Sequence, residues 1–175
     1  IVSVMDVYAL QEQESDNKQT ERNDDLTADS TAPILRPVSM MVVNFIMNQV
    51  GPGKLLKVLF DSGSDKTMYN ERVLPAGVTP EVLPFPQVAN TLAGNFDSKR
   101  RIWLEDIVFP EFGKTKRIKE QSALLFNEPD CPYDVIIGND LLSVMGLKID
   151  FEDKTLSWMD ITVPMKGAEF WNDPI

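Results

Sequence analysis

The residues whose types and order could do chemistry are Asp61-Ser62-Gly63, at the end of the apolar segment 54–60. An apolar strand that runs into a tight turn holds the first side chain of the turn in a fixed place, and a glycine lets the backbone approach a neighbour closely. The Ser62 hydroxyl can brace the same loop through hydrogen bonds to the backbone. The tripeptide alone is also typical of an ordinary turn, so a prediction of acid–base catalysis by Asp61 needs a second signal in the sequence.

The composition excludes most other catalytic chemistries. The 175 residues include no histidine and one cysteine, Cys131. Ser-His-Asp catalysis, Cys-His catalysis, an internal disulfide and a cysteine-based zinc site are therefore excluded, and Cys131 is expected to be structural because it has no histidine base. The net charge of −10 disfavours direct binding to nucleic acid or to anionic membranes. We predict no cofactor and no metal.

A second signal lies about 75 residues after the first, where the apolar segment 133–137 ends at Gly138. The continuous apolar run predicts a buried strand. Asn139 can cap a short helix over 140–145, and Gly146 can end it. Other short apolar runs predict further strands, which makes an all-β, barrel-like fold of about nine strands and one short helix. The predicted strands are 39–47, 54–60, 87–92, 101–109, 122–126, 133–137, 147–151 and 155–159, and the proline-rich segment 75–86 is expected to be irregular or an edge strand.

The first 36 residues differ from the rest. They carry eight acidic and three basic residues, and the only apolar residues between Gln11 and Ala32 lie at 26, 28 and 32. Such a segment buries too little apolar surface to offset its ordering entropy, so we predict a disordered acidic arm over 1–36, a folded domain over 37–160 and a tail over 161–175. The chain begins at Ile1 and has no run of about 18 apolar residues, which favours a cytoplasmic piece of a longer protein.

Together, the two motifs resemble the retropepsin-like aspartic proteases of retroviruses and gypsy-type LTR retrotransposons. Those proteins carry an apolar-Asp-Thr/Ser-Gly motif, a flap hairpin, and then an apolar-apolar-Gly motif before a short helix with a leucine pair. The segment 147–158 is similar to their closing strands, and the resemblance extends over residues 38–160. It implies a single-lobed acid protease barrel. Because only one Asp-Ser-Gly is present, it also implies completion of the site in a homodimer.

The resemblance implies a role for each matching residue. Asp61 would be the catalytic carboxylate, with the Ser62 hydroxyl crossing to the partner's loop and Gly63 completing the turn. The two Asp61 side chains of the homodimer would share one proton and activate a water molecule against a peptide carbonyl. The implied contacts to an extended peptide come from a flap between 87 and 103 and from two loops, at Asp65, Leu92, Ala93, Gly94, Ile137 and Gly138.

Two features depart from the retroviral pattern. Asn139 stands where retroviral enzymes often have arginine, which leaves Asp65 without its usual partner. The terminal-strand sheet that joins the two protomers in that family cannot be located in this sequence.

The sequence therefore favours an aspartic endopeptidase that processes a retrotransposon polyprotein in the cytoplasm or within virus-like particles. Two alternatives stay open. One is a non-catalytic retropepsin-like module that dimerises or binds peptides, and the other is an unrelated small β-barrel interaction domain. The intact Asp61-Ser62-Gly63 favours the enzyme.

Overall fold

The computed structural model describes residues 31–45, 54–91 and 94–173. Residues 33–175 form one compact unit, and of the other unit, residues 1–32, only Thr31 and Ala32 are described. Most of the predicted acidic arm therefore lies outside the described residues, and so do the last two residues of the predicted strand 39–47. The disorder of the arm stays a prediction.

The described chain is mostly β-strand. Two α-helices, α1 (Asn139–Met145) and α2 (Ala168–Asn172), and two 3-10 helices, Glu71–Val73 and Pro110–Phe112, complete the regular structure of this part. The strands are β1 (Val38–Phe45), β2 (Leu56–Phe60), β3 (Met68–Asn70), β4 (Glu81–Thr91), β5 (Gly94–Val108), β6 (Ile118–Phe126), β7 (Val135–Ile137), β8 (Lys148–Asp150), β9 (Thr155–Trp158) and β10 (Ile161–Pro164).

The predicted all-β barrel is confirmed. Seven strands form a sheet in the order β1-β2-β7-β3-β6-β5-β4, and a further pairing of β1 with β5 closes six of them into a barrel. Strand β4 stays outside this ring and pairs with β5 along a long hairpin. Strands β10, β9 and β8 form a separate three-stranded sheet. Closure satisfies the backbone hydrogen bonds of strands that would otherwise be open edges.

The interior of the barrel is apolar and aromatic. Phe60, the last residue of β2, is 1% exposed and its ring lies 5.4 Å from that of Phe109. The ring of Phe109 in turn packs edge-on against Trp158, at 5.9 Å between centroids. These contacts anchor the end of β2 in the core, because buried aromatic side chains carry a large share of packing energy. The residue that follows Phe60 therefore starts from a rigid point.

Two predicted elements differ in detail from the structure. The hairpin predicted as a flap is longer than expected, since β4 starts at Glu81 and includes Pro84 and Pro86, which is possible because β4 is an edge strand whose register shifts between Val82 and Gln87. Asn139 is not the cap of α1; Gly138 takes the N-cap position and Asn139 is the first helical residue. The predicted stop at Gly146 is confirmed, with a left-handed backbone at φ 67°.

The C-terminal segment packs on the same domain. Arg36 and Lys166 exchange backbone hydrogen bonds of 2.9 and 3.1 Å. The Arg36 guanidinium lies 4.2 Å above the ring of Trp171 in α2, which is 8% exposed. Helix α2 has only five residues, too few for a periodic pattern to reveal it in the sequence.

Candidate active site

The two sequence motifs meet because β2 and β7 are parallel neighbours. Phe60 lies opposite Ile137 in the ladder, and the Asp61 amide donates a 2.9 Å hydrogen bond to the Ile137 carbonyl. Adjacent parallel strands end at the same edge of a sheet, so the loop after β2 and the start of α1 lie side by side. The Ile137 side chain itself is fully buried in the core, so only its backbone takes part in the site.

The loop that begins at Asp61 is a tight turn closed on the Asp61 carboxylate. The Gly63 amide donates to Asp61 Oδ1 at 2.8 Å, and the Ser64 amide donates to the Asp61 carbonyl at 3.1 Å. Ser64 is fully buried and its hydroxyl donates to the Lys66 carbonyl at 2.8 Å. Asp61 keeps partial exposure and Ser62 is exposed at the outside of the turn. One carboxylate oxygen is thus fixed by the loop, while the group as a whole stays accessible.

Helix α1 holds this loop from its other side. The Asn139 amide donates to the Ser64 carbonyl at 2.8 Å, and its side-chain Nδ2 donates to the Ser62 carbonyl at 2.7 Å. Asn139, which stands where retroviral enzymes often have arginine, therefore binds the backbone of the Asp61 loop directly. The sequence gives Asn139 as a possible cap but does not reveal this long-range contact.

Asp140 connects three elements around the same loop. Its carboxylate accepts hydrogen bonds from the Thr67 hydroxyl at 2.7 Å, from the Thr67 amide at 3.1 Å and from Gln121 Nε2 at 3.0 Å. The Gly138 amide donates to the Thr67 hydroxyl at 3.3 Å, which completes the network. Charge-assisted bonds of this kind fix the end of the loop more firmly than neutral ones.

A largely apolar cavity of about 410 Å³ opens beside Asp61. Its walls come from five different strands, and of its apolar residues Ile136 alone belongs to one of the two sequence motifs, the apolar segment that ends at Gly138. Ile136 faces the cavity because neighbours on a strand point to opposite sides, so the alternation on β7 could have indicated Ile136 rather than Ile137 as the lining residue. The residues lining it are Asp61, Met68, Thr91, Phe96, Phe126, Glu128, Cys131 and Ile136.

The hairpin of β4 and β5 borders this cavity, since Thr91 and Phe96 belong to it. Thr91 pairs with Gly94 at the end of this hairpin. Leu92 and Ala93, two of the predicted flap contacts to the substrate, lie outside the described residues, and Gly94, the third, is the first residue of β5. The position of the hairpin fits a flap, while contacts from its tip to a substrate stay a prediction.

Asp65 contacts this hairpin. Its Oδ1 accepts the Asn90 amide at 2.8 Å, its Oδ2 accepts Asn90 Nδ2 at 2.9 Å, and its own amide donates to the Asn90 carbonyl at 3.1 Å. The partner of Asp65 that the sequence left unidentified is therefore Asn90, 25 residues away on β4.

The part of the chain that the structure describes holds no group of three or more metal-ligating side chains. Among those same residues, no helix is long and apolar enough to cross a membrane.

Cys131 supplies a chemical probe of the cavity. Burial is the main cause that raises the pKa of its thiol, so the reactive thiolate is scarce at neutral pH. We expect iodoacetamide at pH 7.5 to alkylate Cys131 more slowly than a free cysteine in the unfolded chain, and the rate to increase as the pH rises. Mass spectrometry over time measures this. Alkylation as fast in the folded protein as in urea would contradict the partly buried position of Cys131.

Comparison with protein-family models gives no match, and comparison with curated proteins gives none. Among solved structures, this chain is similar to the retroviral protease-like domain of Ddi1 from Leishmania major, at 17% identity and a TM-score of 0.43. The match covers 76% of this chain and 95% of that one. It is a likeness of fold alone.

Proposed function

We propose that this protein is an aspartic endopeptidase of the retropepsin type. The observation that carries the proposal is the placement of Asp61. Its carboxylate is fixed by the amide of Gly63 at 2.8 Å, stays accessible, and borders an apolar cavity under a long hairpin. A rigid carboxylate beside an apolar pocket is what acid–base attack on a bound peptide requires.

The reaction needs a second carboxylate, and a second copy of the chain supplies it. One carboxylate takes a proton from a water molecule between the two Asp61 side chains, and the resulting hydroxide attacks the peptide carbonyl carbon. The protonated carboxylate gives its proton to the carbonyl oxygen. Two carboxylates on either side of one water molecule share a proton, because the repulsion between two negative charges disfavours ionisation of both. One carboxyl group then acts as the acid and the other as the base, without histidine.

The exposed Ser62 hydroxyl supports the two-fold arrangement. Ser62 is next to Asp61, and its carbonyl is held by Asn139 Nδ2 at 2.7 Å, while its side chain faces outward. In a symmetric dimer with Asp61 on the axis, this hydroxyl meets the partner's loop, as the family resemblance implies.

The substrate we propose is an extended peptide with an apolar side chain beside the cleaved bond. Met68, Phe96, Phe126 and Ile136 supply apolar walls that match such a side chain. An extended segment pairs with hairpin backbone as an added strand. The sequence resemblance supports a retrotransposon polyprotein in the cytoplasm as the natural source of that segment.

A peptide library tests this function directly. We expect the purified chain to cleave peptides at apolar positions, and a statine-type inhibitor, whose hydroxyl replaces the attacking water, to block cleavage. Peptide binding without any cleavage, at concentrations where the chain is dimeric, would instead support the non-catalytic module.

Activity is expected to depend on protein concentration. If each site needs two Asp61 side chains, activity per mole of chain must fall on dilution below the dimer dissociation constant, in proportion to the dimer fraction. Light scattering after size exclusion, measured alongside turnover, gives that fraction. Full activity in a preparation that is monomeric throughout would contradict the two-chain site.

A further inference from the structure

The contact between Asp65 and Asn90 is a closed set of three hydrogen bonds, which we call the Asp65–Asn90 clasp. The Asp65 carboxylate accepts the Asn90 amide and side-chain nitrogen at 2.8 and 2.9 Å, and the Asp65 amide donates to the Asn90 carbonyl at 3.1 Å. Each residue thus both donates and accepts hydrogen bonds, and each oxygen of the Asp65 carboxylate accepts one. A two-point contact to a charged group fixes orientation as well as distance.

The clasp joins the hydrogen-bonded Asp61 loop to the long hairpin of β4 and β5. Asp65 directly follows Ser64, which is buried and whose carbonyl accepts the Asn139 amide at 2.8 Å. Asn90 is one residue before Thr91, at the end of β4 and beside the turn of the hairpin. β4 is an edge strand, with β5 as its only partner among the described strands. The end of β4 is therefore held on one side by β5 and on the other by Asp65.

We propose that Asp65 is a positioning residue that acts through Asn90. It holds the hairpin at a fixed height above the cavity beside Asp61, before any substrate arrives. Because the hairpin is already ordered, less conformational entropy is lost when substrate binds. The clasp therefore lowers KM more than it raises kcat. This proposal rests on the proposed function for its kinetic effect, while its structural effect exists without catalysis.

Hydrogen exchange tests the structural effect in the whole chain. Asp65→Ala should speed amide exchange over residues 94–98, which pair with 87–91 across the hairpin, by roughly 2- to 10-fold, the change expected when one or two hydrogen bonds are lost. Asn90→Ala should act in the same direction and less, because the Asn90 amide keeps its bond to Asp65. Asn90→Asp should act at least as strongly as Asn90→Ala, because it places two carboxylates together.

The matched control is Asn95→Ala. Asn95 is exposed and lies directly opposite Asn90 in the hairpin register, and the clasp does not include it. Amide hydrogen exchange in the Asn95→Ala variant should match that of the unchanged protein. If amide exchange over residues 94–98 is no faster in Asp65→Ala than in Asn95→Ala, the clasp does not position the hairpin and the proposal is wrong.

Kinetics separate this role from direct substrate contact. We expect Asp65→Ala and Asn90→Ala each to raise KM by roughly 2- to 10-fold with a smaller fall in kcat, and the double variant to be less harmful than the product of the two. If Asp65 instead binds the substrate backbone, Asn90→Ala leaves KM unchanged and the effects multiply, which would overturn the proposal. If no variant or parent hydrolyses peptides while exchange still changes, the clasp stands and the protease function fails.

Discussion

Asp61→Asn is expected to abolish peptide hydrolysis while leaving the fold intact. Asparagine has nearly the same shape as aspartate, and its Oδ1 can still accept the Gly63 amide, which lies 2.8 Å away in the unchanged protein. It cannot take a proton from water. We expect kcat to fall by about 10²- to 10⁴-fold or more, the range that acid–base groups contribute. Initial rates with a cleaved library peptide measure the loss.

The same substitution elsewhere provides the control. Asp97 is an exposed carboxylate on β5, paired with Val88 in the hairpin, and Asp97→Asn removes an equal charge. It should keep normal turnover. Circular dichroism and light scattering establish that both variants fold and associate as the parent does. Turnover by clean Asp61→Asn protein at the rate of Asp97→Asn would end the assignment of Asp61 as the catalytic group.

The two strands that carry the candidate site could be predicted from local sequence, whereas the meeting of the loops that follow them was implied only by the family resemblance. Two apolar segments that each end in a glycine-containing loop are buried strands, and such strands place the residues after them at a sheet edge. The parallel pairing of Phe60 with Ile137 joins the two loops and puts Asp61 beside Gly138. The strands of the barrel and of the β4–β5 hairpin were predictable because short apolar runs and turn residues are short-range signals.

The partners of the loop residues could not be predicted, because they depend on contacts far apart in sequence. Asn139 binds the Ser62 carbonyl from 77 residues away, and Asp65 binds Asn90 across 25 residues. An asparagine or an aspartate in a loop has many possible partners, and only the tertiary arrangement selects one. The apolar wall of the cavity was missed for a related reason. Its apolar side chains come from β3, β5, β6 and β7, and the sequence of each strand does not distinguish them from residues of the hydrophobic core.

Gly138→Ala is expected to damage both stability and activity. A Cβ on Gly138 would lie 2.5 Å from the Lys66 carbonyl carbon and 2.9 Å from its amide nitrogen, with the carbonyl oxygen closer still. These are backbone atoms of the Asp61 loop, so the loop itself must move. Overpacking of this kind costs about 1–3 kcal/mol, which lowers Tm by roughly 2–12 °C in a protein of this size. A displacement of about 1 Å at Asp61 can cost about 10²-fold in rate.

Gly167→Ala is a closely matched control for this substitution. Both glycines are helix N-caps with almost the same backbone, φ −95° and ψ −175° at Gly138 against φ −90° and ψ −173° at Gly167. The three atoms nearest to a Cβ on Gly167 would all belong to the Glu169 carboxylate, the first at 2.7 Å, and that flexible side chain can rotate away. Thermal unfolding and initial rates should therefore separate the two variants. Equal Tm and equal turnover in Gly138→Ala and Gly167→Ala would show that the close contact between α1 and the Asp61 loop is not what holds the carboxylate in place.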